Sequence, residues 1–190
     1  EKAQTSLGGF PWFPGGAPSP YITLSVVYGF SKALEFGVEV PKGIVQKAWS
    51  YLHRHYIDEI LDRLTRRHHG IEFVTFMNYV LSNFPDASWS NGLFSESDRA
   101  RMLDASFRRW KDHSPYLKGY LALTLARAKR DADAKIVWDS VMDSAKTSPD
   151  EGTHWAQEER SWLWYNDTIE THAFALRAGS ELGTKPPLLD

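Results

Sequence analysis

The chain has 190 residues, 42% hydrophobic, 24% charged and 14% aromatic, with a formal net charge of −2. That length and balance fit one soluble globular domain, able to bury roughly 70% of the surface its unfolded form exposes. The absence of cysteine excludes a disulfide scaffold, a zinc ribbon, a cysteine nucleophile and a thiol redox site within the chain, and the slight acidic excess argues against a dedicated nucleic-acid binder.

Helical periodicity runs through the sequence. Gly8 to Pro20 holds four Gly and four Pro in thirteen residues and reads as a loop. Ser19-Pro20 then predicts an N-cap and first helical residue, opening a helix to about Phe36 that stops at Gly37. Val26, Phe30, Ala33 and Leu34 are its expected apolar face. A second helix from Pro41 places Ala48, Leu52, His55 and Tyr56 on one face and Ile60, Leu61 and Leu64 on another. The slip in phase predicts a kink or break near Tyr56, and Gly70 ends the helix. The third runs from Ile71 to Phe84. After a loop from Pro85 to Phe94, Ser95-Glu96-Ser97-Asp98 resembles a capping box. It opens a fourth helix with Ala100, Leu103, Phe107 and Trp110 in phase.

Ser114-Pro115 starts a fifth helix, with Leu117, Leu121, Leu125 and Ala128. Asp131 caps a sixth, with Ala134, Val137, Trp138, Val141 and Ala145. A third long loop spans Ser148 to Asn166, in which Trp162 to Tyr165 favours at most a short strand or hairpin. Asp167 or Thr168 caps a seventh helix, with Ile169, Ala173 and Leu176 as its face and Gly183 at its end. The reading is all-α, with short links at Asp112–His113 and Lys129–Arg130 predicting antiparallel helix neighbours. Phe10-Pro-Trp-Phe ahead of Tyr21-Ile-Thr loosely parallels Trp162-Leu-Trp-Tyr ahead of Thr168-Ile-Glu-Thr. Stacked helical hairpins form solenoids or closed toroids. The longest apolar run, Tyr21 to Phe30, is too short for a membrane span of roughly 20 residues. The chain opens on Glu1 with no secretory signal, which reads as a processed chain or an excised piece.

Few side-chain sets suggest catalysis. His53 and His55 are two apart and point to different sides of a helix, and His68-His69 fits the cationic end of a helix dipole. No spacing matches a metal-ligand set, so no metal and no cofactor are expected. Glu158, Glu159, Asp167 and Glu170 lie beside Trp155, Trp162, Trp164 and Tyr165. Paired carboxyls roughly 5–9.5 Å apart beside aromatic platforms would suit a glycoside hydrolase or lyase. Asp167 as a cap and Glu170 as a first-turn acid is the plainer alternative. There is no G-x-S-x-G elbow, P-loop or dinucleotide fingerprint. Of the eight Trp residues, Trp49, Trp110 and Trp138 fall on apolar stripes. The loop Trp residues either pin their loops through the indole N–H or form an interaction surface.

Three stretches carry a resemblance. Gly8-Gly-Phe-Pro-Trp-Phe-Pro-Gly-Gly with Ser19-Pro-Tyr-Ile-Thr resembles the thioester-domain segment of bacterial α2-macroglobulin-like proteins. Ser114-Pro-Tyr-Leu-Lys-Gly-Tyr-Leu-Ala-Leu-Thr and Trp162-Leu-Trp-Tyr-Asn-Asp-Thr-Ile-Glu-Thr-His-Ala-Phe-Ala-Leu-Arg follow in the same order. The resemblance implies an α/α toroid of antiparallel helical hairpins, in a cell-envelope protein, periplasmic or extracellular, that traps proteases. In that family a protease cuts a bait segment, the molecule collapses, and an internal Cys–Gln thioester captures the attacker.

The family's Cys-x-Glu-Gln run is absent from this chain, so no thioester residue is assigned. The motif order implies that residues 1–190 are a single, partial toroid domain starting after that run; the alternative is a thioester-less member, which the family also contains. On this reading the chain is non-catalytic scaffold. Its implied partners are the other domains of the parent protein and, through it, target proteases, with no nucleic acid and no direct membrane insertion. Trp12, Phe13, Trp155, Trp162, Trp164 and Tyr165 become candidates for an aromatic wall around a thioester pocket or for an interaction surface. His172 stands where relatives often carry a small residue. The alternatives are the carbohydrate-active toroid and a helical-repeat binding module.

Overall fold

The structure is a computed structural model that describes residues 3–66, 70–150, 152–155 and 168–183, with the backbone alone for 55–66 and 168. Seven α-helices dominate the described residues, and the fold is all-α with two small ribbons. The chain divides into two compact units, Glu1–Met102 and Leu103–Asp190.

In the first unit an antiparallel ribbon, β1 (Phe10–Pro11) and β2 (Pro18–Ser19), leads into α1 (Pro20–Glu35). Then come α2 (Lys42–Arg66), α3 (Ile71–Ser82), a 3₁₀ turn at Ala87–Ser90 and the start of α4 (Glu96–Arg108). Both α2 and α3 pack on α1. α1 begins as its sequence dictates, with Ser19 Oγ accepting the Ile22 N–H and Pro20 in the first turn. It ends in a Schellman motif. Gly37 adopts φ +73°, its N–H donates to the Leu34 carbonyl, and the Val38 N–H donates to that of Ala33.

The buried face of α1 differs from expectation. Thr23, Leu24, Val27 and Ser31 are buried, whereas Val26, Phe30, Ala33 and Leu34 are half-buried. The helix is apolar around most of its circumference, so spacing alone supports either stripe. The hydroxyls tolerate burial because Thr23 Oγ1 donates to the Ser19 carbonyl and Ser31 Oγ to that of Tyr28. Nor does α2 break at Tyr56: it continues to Arg66, and no Pro or Gly between residues 44 and 66 gives cause for a kink. α3 buries ten of its twelve residues and is the core helix of this unit. Within that core the Trp49 indole N–H has no acceptor, and the ring is held by the edges of Phe84 and Phe94.

The capping box before α4 forms as expected. The Ser95 N–H and hydroxyl both reach Asp98 Oδ2, and the Asp98 N–H donates to Ser95 Oγ at 3.0 Å. The buried residues of α4 are Met102, Leu103 and Ser106, while Ala100 is exposed and Trp110 falls beyond the helix.

In the second unit a 3₁₀ turn at Trp110–Asp112 leads to α5 (Pro115–Arg127), followed by α6 (Asp131–Asp143). A hairpin, β3 (Lys146–Ser148) and β4 (Gly152–His154), follows, and then α7 (Thr168–Glu181). α5 packs on both α6 and α7, which explains why it is buried almost all round. α6 buries Ala134, Val137, Trp138 and Val141 as predicted, but Asp131 is its first residue and the cap position is Arg130, without a side-chain bond. Ala128 is the exposed C-cap of α5, and Ala145 lies past the end of α6.

The face of α7 is also reversed from expectation. Thr171, Phe174, Ala175 and Ala178 are buried, whereas Ile169, at 78% exposure, Ala173 and Leu176 face solvent. Phe174 decides the matter, because one large aromatic side chain outweighs a stripe of smaller residues. The short strand or hairpin expected at residues 162–165 lies outside the described residues.

Candidate functional site

The first motif folds as a clamp on α2. Gly8 has φ +92°, and a Cβ there would lie 2.4 Å from the Lys47 carbonyl oxygen. At Gly9 a Cβ would stand 2.8 Å from the Tyr51 ring and 2.7 Å from Pro18. Gly8 is therefore required by close approach and by its backbone conformation, and Gly9 by close approach. Gln4 Nε2 donates to the Gly8 and Ile44 carbonyls at 2.8 and 2.9 Å, and the Tyr51 hydroxyl donates to the Pro18 carbonyl at 2.9 Å. Phe10 is buried, and its N–H donates to Thr23 Oγ1 at 2.8 Å. One threonine thus ties the ribbon to the first turn of the helix it feeds.

At the tip of this ribbon Trp12 and Phe13 are each 67% exposed. Trp12 stacks flat on Tyr21, with ring centroids 5.7 Å apart and planes within 9°. Phe13 sits in a tight turn closed by the Gly16 N–H on the Phe13 carbonyl at 3.0 Å. The clamp holds the backbone and presents two large aromatics to their surroundings.

The other two motifs meet in the second unit. Phe174 of α7 packs over Gly119 of α5, where a Cβ would fall 2.7 Å from two ring carbons. Tyr120 and Tyr116 contact the same ring at centroid distances of 4.2 and 5.4 Å, and their hydroxyls hydrogen-bond to each other. Trp155, only 2% exposed, donates its indole N–H to the Val141 carbonyl at 2.7 Å. Its ring meets His172 edge-on at 5.2 Å, and His172 Nε2 lies 3.1 Å from the Thr153 carbonyl. Trp155 and His172 therefore fasten the β3–β4 hairpin to α6 and α7.

Of the expected site residues, Trp12 and Phe13 share one exposed tip, Trp155 takes the pinning role, and Glu170 is exposed in the first turn of α7. Trp162, Trp164, Tyr165, Glu158, Glu159 and Asp167 lie outside the described residues, as do His68 and His69. His53 packs edge-on to Phe94. Among the described residues no group of three or more His, Cys, Asp or Glu is placed to hold a metal ion, and no helix is long and apolar enough to cross a membrane.

Sequence reasoning missed His113. It is 1% exposed in the link before α5, and burial holds its imidazole down at about 4, against the opposing pull of Asp112; Lys118 and Arg109 add to the depression. The signal was faint, a single His in a polar-looking link. The chain matches no protein-family model and no curated protein sequence.

Proposed function

We propose that this chain is a scaffold part of the thioester domain of a bacterial α2-macroglobulin-like protease-trapping inhibitor, an arc of an α/α toroid with no turnover of its own. The observation that carries the reading is the fold of the Gly8–Pro20 motif. Each of its distinctive residues has a separate job: the first two glycines meet α2, Phe10 is tied to Thr23, and Trp12 and Phe13 are left outward. The packing of Phe174 on Gly119 lends support from the other two motifs. Helices packed side by side in each unit are compatible with hairpins of a ring.

On this reading Trp12 and Phe13 help wall an activated acyl group. Excluding water from such a group suppresses its hydrolysis. The partners are then the remaining domains of the parent protein and, through it, target proteases, and the setting is the periplasm or cell exterior.

The test is a protease challenge of the intact protein that carries this chain, read on a denaturing gel. The expected result is a covalent protease adduct that methylamine pretreatment prevents. Cleavage to small fragments with no adduct, whether or not methylamine is added, overturns the reading.

A further inference from the structure

Residues 108–118 are a basic stretch of the second unit: Arg108, Arg109, Lys111 and Lys118 against Asp112 alone, in a chain of net charge −2. Arg109 Nε pairs with Asp112 at 3.0 Å, which consumes that carboxylate. The half-buried Trp110 then faces two ammonium groups, Lys111 Nζ and Lys118 Nζ, each 5.6 Å from its ring centroid. Lys118 is 9% exposed, wedged between α5 and α6, and it donates one hydrogen bond, to Ser140 Oγ at 3.2 Å. No ion pair among the described residues includes it.

An ammonium has three donors, and this one uses a single donor on a neutral hydroxyl. A buried charge is costly unless it is paired and hydrogen-bonded. One aromatic face attracts a cation, but here two cations share one ring and repel each other. Among the described residues, what the cluster lacks is a second negative charge. Lys111 and Ser140 lie where an anion can approach, since the first is exposed and the second half-buried.

We propose that Trp110, Lys111, Lys118 and Ser140 form an oxyanion-binding site that takes a phosphate or carboxylate group. Lys118 Nζ supplies the anchoring charge and Lys111 a second one from the rim. Ser140 turns its hydroxyl to donate, and Trp110 shields the contact from water. A charge-assisted bond in partly dry surroundings is stronger than its exposed counterpart. The proposal does not depend on the toroid reading.

The experiment is a titration of the 190-residue chain with inorganic phosphate and, separately, with acetate, at constant ionic strength. It is followed by the NMR shifts of the Trp110 indole N–H and the Ser140 amide. The expected result is a saturable, millimolar response to at least one anion. Phosphate alone or acetate alone assigns the group, and either supports the site. Lys118→Met should weaken binding by about tenfold or more and Lys111→Ala by less, while Arg99→Ala, an exposed arginine elsewhere, leaves it unchanged. If Lys118→Met does not fold, Ser140→Ala decides, with a severalfold loss expected. No saturable shift with either anion, or wild-type affinity in the Lys118 or Ser140 variant, overturns the proposal.

Discussion

Trp12 and Trp155 belong to loops that differ in composition, one in each unit, and they end in opposite environments. Trp155 follows a hairpin that returns to the C-terminal end of α6. The Val141 carbonyl in its last turn takes the Ser144 N–H at 3.2 Å and, with its second lone pair, the Trp155 indole N–H at 2.7 Å. Trp12 is 67% exposed. Its ribbon is fixed through backbone groups and Gly8, Gly9 and Thr23, and among the described residues its ring stacks on Tyr21. A loop tryptophan becomes a pin where a helix end offers it an acceptor. Where the backbone is already secured by other residues, it is left outward for another role.

The comparison is broken most easily by truncating the two rings. Trp155→Ala should lower stability by about 3–5 kcal/mol, the usual loss for a buried large aromatic. Trp12→Ala should cost no more than about 1 kcal/mol, since only one stacked face is lost. Denaturant midpoints measure both, and equal losses would refute the division into pin and outward ring.

Acid should next separate the units. His113 is held neutral in the folded second unit, with Asp112, Lys118 and Arg109 as its charged neighbours. The unfolded chain, with an ordinary imidazole, takes up the proton first as pH falls. Stability from this group is therefore complete above about pH 6.5 and is lost progressively down to about pH 4, by at most about 3 kcal/mol. Asp86 in the first unit acts in the same direction but at lower pH. The Ser88 hydroxyl and N–H hold its carboxyl below the ordinary value, so its contribution survives that window and fades only at lower pH. Unfolding followed across pH in His113→Gln should show a flattened profile between those limits.

Close glycine packing sharpens the comparison further. Gly119→Ala should cost about 1–3 kcal/mol by pressing on Phe174, and Gly9→Ala a similar amount by pressing on Tyr51. Thermal unfolding of each variant reads the effect. The smallest difference lies at two helix ends. Lys129 occupies the left-handed position of the Schellman motif after α5, with φ +61°, where Gly37 serves α1. Lys129→Gly should gain up to about 1 kcal/mol, and Gly37→Ala should lose about as much.

Three helix starts were legible because their chemistry is local, although the cap expected at Asp131 was not formed. Ser19-Pro20, Ser95 with Asp98, and Ser114-Pro115 all cap as their residue types require. The face of α6 was legible because polar residues surround a single apolar stripe. The faces of α1 and α7 were not, since both helices offer two apolar stripes and hide hydroxyls on the buried one. Thr23, Ser31 and Thr171 read as polar in sequence, yet all three are buried. At the candidate site, the need for Gly8, Gly9 and Gly119 comes from Lys47, Tyr51 and Phe174, partners distant in the chain. The sequence shows the glycine and not what presses on it. Lys118 was hidden among the leucines of α5 because that helix is enclosed by neighbours on more than one side.

On the proposed reading, the Gly8–Pro20 ribbon presents Trp12 to shield a thioester. In the intact protein, the rate of thiol release by methylamine should rise clearly on Trp12→Ala while the fold, read by circular dichroism, stays unchanged. An unaltered rate, or no thiol released from the wild type, would contradict the account.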